Sequence, residues 1–177
     1  QNGSYAVRFS VTKSGTYQAN VYVDGDKSVK GSPVTLTMSP GTFVPWYSEV
    51  TKKTLTTAGT PLTFMIQARD MYFNHRAIGG DDFTVKCLNQ HVGDYASSAV
   101  QDEANDGFYN GMCSMTRSGH YTIEVLSPNR EGTLLNISGS PFEAIVQPGV
   151  ALPEKSGAFG DALTISTAGT WATFSIY

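Results

Sequence analysis

The chain repeats itself, and this constrains its fold more than any single motif does. Gly3-Ser4-Tyr5-Ala6-Val7-Arg8-Phe9-Ser10-Val11 aligns with Gly107-Phe108-Tyr109-Asn110-Gly111-Met112-Cys113-Ser114-Met115, an offset of 104 residues. Ser14-Gly15-Thr16-Tyr17 aligns with Ser118-Gly119-His120-Tyr121 at the same offset. Gly31-Ser32-Pro33-Val34 meets Gly139-Ser140-Pro141-Phe142, and Pro40-Gly41 meets Pro148-Gly149, now 108 apart, so four extra residues lie in the loop before Gly139. A second series runs through the other half. Ala58-Gly59-Thr60 and Thr63-Phe64-Met65-Ile66 recur as Ala168-Gly169-Thr170 and Thr173-Phe174-Ser175-Ile176, 110 residues on. Pro45 and Ser48 likewise find Pro153 and Ser156. The chain therefore reads as the last three strands of one repeat (1–40), a complete repeat (41–147) and the first strands of a further repeat (148–177).

Inside the complete repeat the hydrophobic period is two. Tyr109, Gly111, Cys113 and Met115 share one parity, and so do Tyr121, Ile123 and Val125, after the turn signals Asp106-Gly107 and Ser118-Gly119. Such alternation predicts half-buried strands with the apolar side inward. A further strand runs from Phe142 to Val146 and is closed by Pro148-Gly149. Upstream, strands are expected over 60–70, 82–89 and, more weakly, 95–101, with an edge strand over 46–54 and a turn-rich link over 71–80. About seven short strands and no helical stripe make this an all-β sandwich. A repeat of this size buries roughly two thirds of its unfolded surface and folds without a metal. The flanking pieces are expected to expose unpaired sheet edges. A longer native chain accounts for them; completion between copies, end to end, is the alternative.

Chemistry is sparse. The net charge of −3 and scattered basic residues give nucleic acid no footprint. Apolar runs are too short for a span, so membrane attachment would come only through parts outside this chain. His75, His91 and His120 lie at no metal-ligand spacing. Asp81-Asp82 and Asp102-Glu103 with Asp106 read as rim acids, and Asp24-Gly25-Asp26 as a hairpin turn rather than a calcium loop. No nucleophile elbow or phosphate loop occurs. No catalytic, cofactor or metal residue is expected, and the chain is read as not an enzyme. Trp46 and Tyr47, beside Pro45, are expected to pack at the junction between repeats, with a surface contact patch as the alternative.

Taken together, Asp106-Gly107-x-Tyr109, Gly119-x-Tyr121, Ile137-x-Gly139-Ser140-Pro141-Phe142 and Pro148-Gly149 resemble the filamin-type immunoglobulin-like repeat. Ala58-Gly59, Phe64-x-Ile66-x-Ala68-Arg69-Asp70, Asn74 and Gly79-Gly80-Asp81-x-Phe83-x-Val85 are similar to its second and third strands. Gly111 and Cys113 stand where the family usually has Val and Tyr, Met115 and Ser138 replace usual prolines, and Val34 replaces Phe. These departures suggest a divergent member rather than an actin cross-linking filamin. The resemblance implies an immunoglobulin-like sandwich in tandem array. It also implies a groove between the third and fourth strands, along 83–88 and 95–101, with Phe83, Thr84, Val85, Lys86, Leu88, Ser97 and Ala99 singled out, that takes a partner peptide by strand addition.

Cys87 has the inward parity of Phe83 and Val85, and Cys113 that of Tyr109. The third and fifth strands of such a sandwich run the same way, so both cysteines face each other at one end of the core. They are expected either as a disulfide or as two buried thiols. A bridge would close a loop of about 27 residues, worth roughly 3 kcal/mol. Asn2-Gly3-Ser4 and Asn136-Ile137-Ser138 are N-glycosylation sequons. Together these features favour an extracellular or cell-surface protein, the alternative being cytoplasmic and cytoskeleton-associated. The expected role is a structural or adhesive segment of a tandem array, used for cell–cell attachment or an external filament. Its partners would be other proteins, or further copies of itself through sheet edges or inter-repeat contacts. A cytoplasmic scaffold presenting the groove to partner peptides is the competing role.

Overall fold

The computed structural model describes residues 3–102 and 104–177. The N-terminal piece holds β1 (Gly15–Ala19), β2 (Tyr22–Val23), β3 (Lys27–Ser28) and β4 (Val34–Met38). Here β1 pairs β4, and β2 pairs β3. The central repeat follows with β5 (Glu49–Thr51), β6 (Leu55–Thr57), β7 (Leu62–Gln67), β8 (Thr84–Asn89), β9 (Tyr95–Gln101), β10 (Phe108–Ser114), β11 (Gly119–Pro128), β12 (Leu134–Asn136) and β13 (Phe142–Gln147). Beyond it, β14 (Ala158–Phe159) pairs β15 (Ser175–Ile176).

In the central repeat β5-β7-β10-β9 form one layer and β8-β11-β13-β6 the other, with β12 on the far end of β11. This is the strand order of an immunoglobulin-like sandwich. The alternation places Leu62, Phe64 and Ile66 of β7 against Ile123 and Val125 of β11 and Phe142, Ala144 and Val146 of β13 in one core. Phe64 and Phe142 meet edge to face at 5.5 Å. Gly111 is required by this packing: a Cβ there would fall on the ring of Phe64. Every fully buried described residue lies between Pro45 and Val146, so the flanks contribute none of the core. Tyr17, Leu36 and Met38 are half-buried there, while other apolar side chains stand in solvent, with Tyr5 94% and Trp171 100% exposed.

Two expectations about strands change. The single edge strand over 46–54 is divided. Pro45–Tyr47 is a 3-10 turn, β5 lies antiparallel to β7, and the chain then crosses through exposed Lys52 and Lys53 so that β6 lies parallel to β13 in the opposite layer. Val50 and Thr56 are each buried in a different sheet, which a single straight strand does not permit. The expected strand over 60–70 shrinks to β7. Thr60 N closes a turn on Thr57 O, and Ala68 N turns to Gly107 O.

The copies share local geometry. Tyr17 donates its hydroxyl to Lys13 O (2.7 Å) as Tyr121 does to Arg117 O (3.1 Å). Ser32 Oγ accepts from Val21 N (2.8 Å) as Ser140 Oγ accepts from Val125 N (2.7 Å). Pro153–Lys155 repeats the 3-10 turn of Pro45–Tyr47, and Ser156 and Ser48 cap their turns on the proline carbonyls alike.

Candidate functional site

The site is an edge where the two layers meet. β8 pairs along its length with β11, but with β9 only at Cys87↔Ala96 and Leu88↔Tyr95. The turn joining the two strands is built by Asn89, whose N–H donates to Asp94 O and whose side-chain oxygen accepts from His91 N and Val92 N. Past the paired end the strands part, and Ser98 Oγ donates to Val85 O at 2.6 Å. A cleft of about 260 Å³ opens there, lined by Val85, Lys86, Tyr95, Ala96 and Ser98.

Of the residues expected along the groove, Val85 and Lys86 line this cleft. Thr84 pairs Leu126 on the β11 side. Leu88 lies in the paired end, so its edge is already taken by Tyr95. Phe83 turns inward, its ring 5.4 Å from Phe43 and 4.8 Å from Tyr109. Ser97 faces a second cleft of about 390 Å³ at the end of the repeat, beside Asp94, Thr116 and Arg117. Ala99 sits where β9 pairs Met112. Tyr95, Ala96 and Ser98, within the expected stretch 95–101 though not singled out there, also line the first cleft.

Cys87 and Cys113 form a disulfide with a Cα separation of 6.2 Å, within the range such bridges span. It ties β8 to β10 beneath β9, at the paired end of the groove, and both cysteines are fully buried. Asn136 ends β12 on the exposed surface and accepts a 2.8 Å hydrogen bond from Ser140 Oγ. Asn2 lies outside the described residues.

Asp81, Asp102 and Asp106 have structural partners; Glu103 lies outside the described residues. Asp81 pairs with Arg76 at 3.2 Å, both side chains largely buried, and accepts from Tyr109 Oη at 3.1 Å. Burial holds the Asp81 carboxyl above its usual range against the pull of Arg76. Burial and the adjacent Asp81 charge push the Tyr109 phenol up to about 12. Asp102 accepts from Gly80 N, and Asp106 accepts from Phe108 N. Among the described residues no three His, Cys, Asp or Glu side chains gather as a metal would need, and no helix is long and apolar enough to cross a membrane.

At the other end a cleft of about 670 Å³ is walled by Phe43, Pro45, Trp46, Tyr47, Met71 and Arg130. Trp46 is 53% exposed there, and the Tyr47 ring meets Phe73 at a tilt of 53°, centroids 4.5 Å apart. The junction with the N-terminal piece lies beside it. Asp70, 1% exposed, accepts from Gly41 N (2.7 Å), Tyr72 N (2.8 Å), Asn74 N (2.9 Å) and Asn74 Nδ2 (2.8 Å). Burial alone would raise the Asp70 carboxyl; these hydrogen bonds outweigh it and hold it below its usual range. Asn74 Nδ2 also donates to Thr12 O (2.8 Å), its Oδ1 accepts from Ser14 N (3.0 Å), and Lys13 Nζ donates to Tyr72 O (2.9 Å).

No protein-family model and no curated protein matches the chain. Among solved structures it is similar to the filamin domain of Lin-41, at 17% identity and a TM-score of 0.48, over 63% of this chain and 100% of that one. The Escherichia coli adhesin FdeC is similar at 17% identity and a TM-score of 0.48, over 76% of this chain and 41% of that one. Domains 4 and 5 of the S-layer protein SbsC are similar at 16% identity and a TM-score of 0.40, over 71% of this chain and 61% of that one. By its own strand order and pairing the chain is an all-β, immunoglobulin-like sandwich.

Proposed function

We propose that the chain is a non-catalytic structural or adhesive segment of a tandem filamin-like array, at the cell surface or in an extracellular assembly. Residues 1–40 and 148–177 belong, on this reading, to the repeats before and after the sandwich of 41–147. The observation that carries it is the recurrence of one geometry in the copies: the tyrosine-to-turn, serine-to-strand and 3-10-turn hydrogen bonds described above. The mechanism is positional. Short Pro-Gly linkers hold stiff sandwiches at fixed spacing and present their surfaces in register.

The buried Cys87–Cys113 bridge supports an oxidising compartment, since cytosolic thiols are kept reduced. The test uses the native protein from its source. Loss of glycan mass from Asn136 on amidase treatment, with no thiol reactive under denaturing conditions, is the expected result. A reduced, unglycosylated protein would overturn the extracellular assignment and leave the cytoplasmic scaffold. In that second reading the cleft at Val85, Lys86 and Ser98 takes an extended peptide along β8. Its measurement is peptide-induced shifts of the β8 and β9 amides; shifts confined elsewhere would remove it.

A further inference from the structure

Asn74 grips a turn whose sequence and geometry recur elsewhere in the chain. A carboxamide offers two donors and an acceptor in one plane, and all are used: Nδ2 bonds Asp70 Oδ2 and Thr12 O, while Oδ1 takes the N–H of Ser14. The side chain thus grips the main chain of one turn at two atoms, a carbonyl and the N–H two residues later. Lys13, between them, reaches back to Tyr72 O on the gripping loop. Neither a carboxylate nor an apolar side chain makes this set of bonds.

The gripped turn, Thr12-Lys13-Ser14-Gly15, has its copy in Thr116-Arg117-Ser118-Gly119. Both turns are followed by glycine at nearly the same φ, 142° and 138°, and both are held by the tyrosine two residues beyond. The copy therefore presents the same carbonyl and N–H, with Arg117 in the place of Lys13. Thr116, Arg117 and Ser118 are exposed, and no described residue hydrogen-bonds Thr116 O or Ser118 N. The cleft of about 390 Å³ beside the turn leaves room for an incoming loop. Arg117, 67% exposed, has only a 3.9 Å approach to Asp94.

We infer that Thr116–Ser118 is a docking site for another repeat of this kind, which inserts the loop after its second strand and grips the turn through an asparagine placed as Asn74 is. Arg117 bonds the main-chain carbonyl two residues before that asparagine. The inference rests on the tandem-array reading and adds to it a defined contact: each repeat is latched to the turn of the one before, and the angle between neighbours is set by hydrogen bonds as well as by linker length.

The test is a chain of residues 1–149 followed by a second copy of residues 42–147, compared with the 177-residue chain. The appended copy contains every fully buried residue of the sandwich and so carries its own core. Amide exchange at Ser118 is expected to slow at least about tenfold relative to the shorter chain, as for an amide that opens only with its contact. Asn74→Ala in the appended copy alone restores fast exchange at Ser118 and lets the two sandwiches tumble separately by 15N relaxation. Unchanged exchange at Ser118 beside a folded appended copy overturns the docking and leaves the array reading standing. An appended copy that does not fold behind Pro148-Gly149 overturns both.

Discussion

Gly111 shows how a single position records the packing around it. The ring of Phe64 fills the space a side chain would occupy, so Gly111→Val overpacks the core and is expected to cost about 1–3 kcal/mol. A lower urea midpoint at constant slope is the readout. Combining it with Phe64→Ala should cost less than the sum of the two, because the second change removes the clash. Asp70 carries a pH signature. Its folded carboxyl lies below the ordinary value of 3.8, so the stability it contributes is present above that value and is lost as the pH falls toward the folded one. The Asp70 carboxyl carbon, followed by NMR, should titrate below 3.8, and the junction amides of Gly41 and Ser14 should lose protection over the same range. A titration above 3.8 contradicts the four-bond account. Neither role was legible in sequence. Gly111 was legible as an inward-facing position and as a departure from a pattern but not as the seat of the Phe64 ring, and Asp70 and Asn74 were motif residues whose partners lie up to 62 residues away.

At the level of elements, strands with clean alternation were legible and strands defined by topology were not. Leu62, Phe64 and Ile66, or Tyr121, Ile123 and Val125, show their inward face because one side of each strand meets the core. The split of the edge strand into β5 and β6 leaves no such mark, since three residues apiece are too few to set a period. β12 is equally short and gains its place only by pairing β11. The residues expected along the third and fourth strands have mixed faces: Phe83 shares the inward parity of Val85 and Cys87, whereas Ser98 meets β8 through its hydroxyl on Val85 O. The disulfide binds this arrangement together. Removing it with Cys87→Ala and Cys113→Ala should cost about 3 kcal/mol for a sequence separation of 26, seen as a lower denaturant midpoint than the oxidised parent. The β8–β9 amides should lose more protection than those of β7. Equal loss in both would detach the bridge from the groove.

For the whole molecule, the distribution of burial sets the distribution of stability. All fully buried described residues fall between Pro45 and Val146, and the paired strands outside number only two to five residues each. Hydrogen exchange is therefore expected to separate into a slow set in β7, β10, β11 and β13 and a fast set in β1–β4, β14 and β15. Comparable protection across both sets would mean that the flanks belong to the same cooperative unit. The proposed repeat boundaries rest on turn residues, glycine, proline and serine, which keep their spacing even where strand residues drift. The junction contact was not legible in sequence, because it joins side chain to main chain and the main chain has no letter of its own.

The exchange of the edge strand between layers has a mechanical consequence. β6 and β13 run parallel at opposite ends of the sandwich's sequence. Tension along the chain draws β6 back through its N-terminus and β13 forward through its C-terminus. The hydrogen bonds that join Ile145, Val146 and Gln147 to Leu55, Thr56 and Thr57 are then sheared together rather than peeled one by one. Because β5 is anchored to β7 in the other layer, the same pull must also strip a second sheet before the strand comes free. A sandwich wired in this way resists extension along the line that joins its two chain ends.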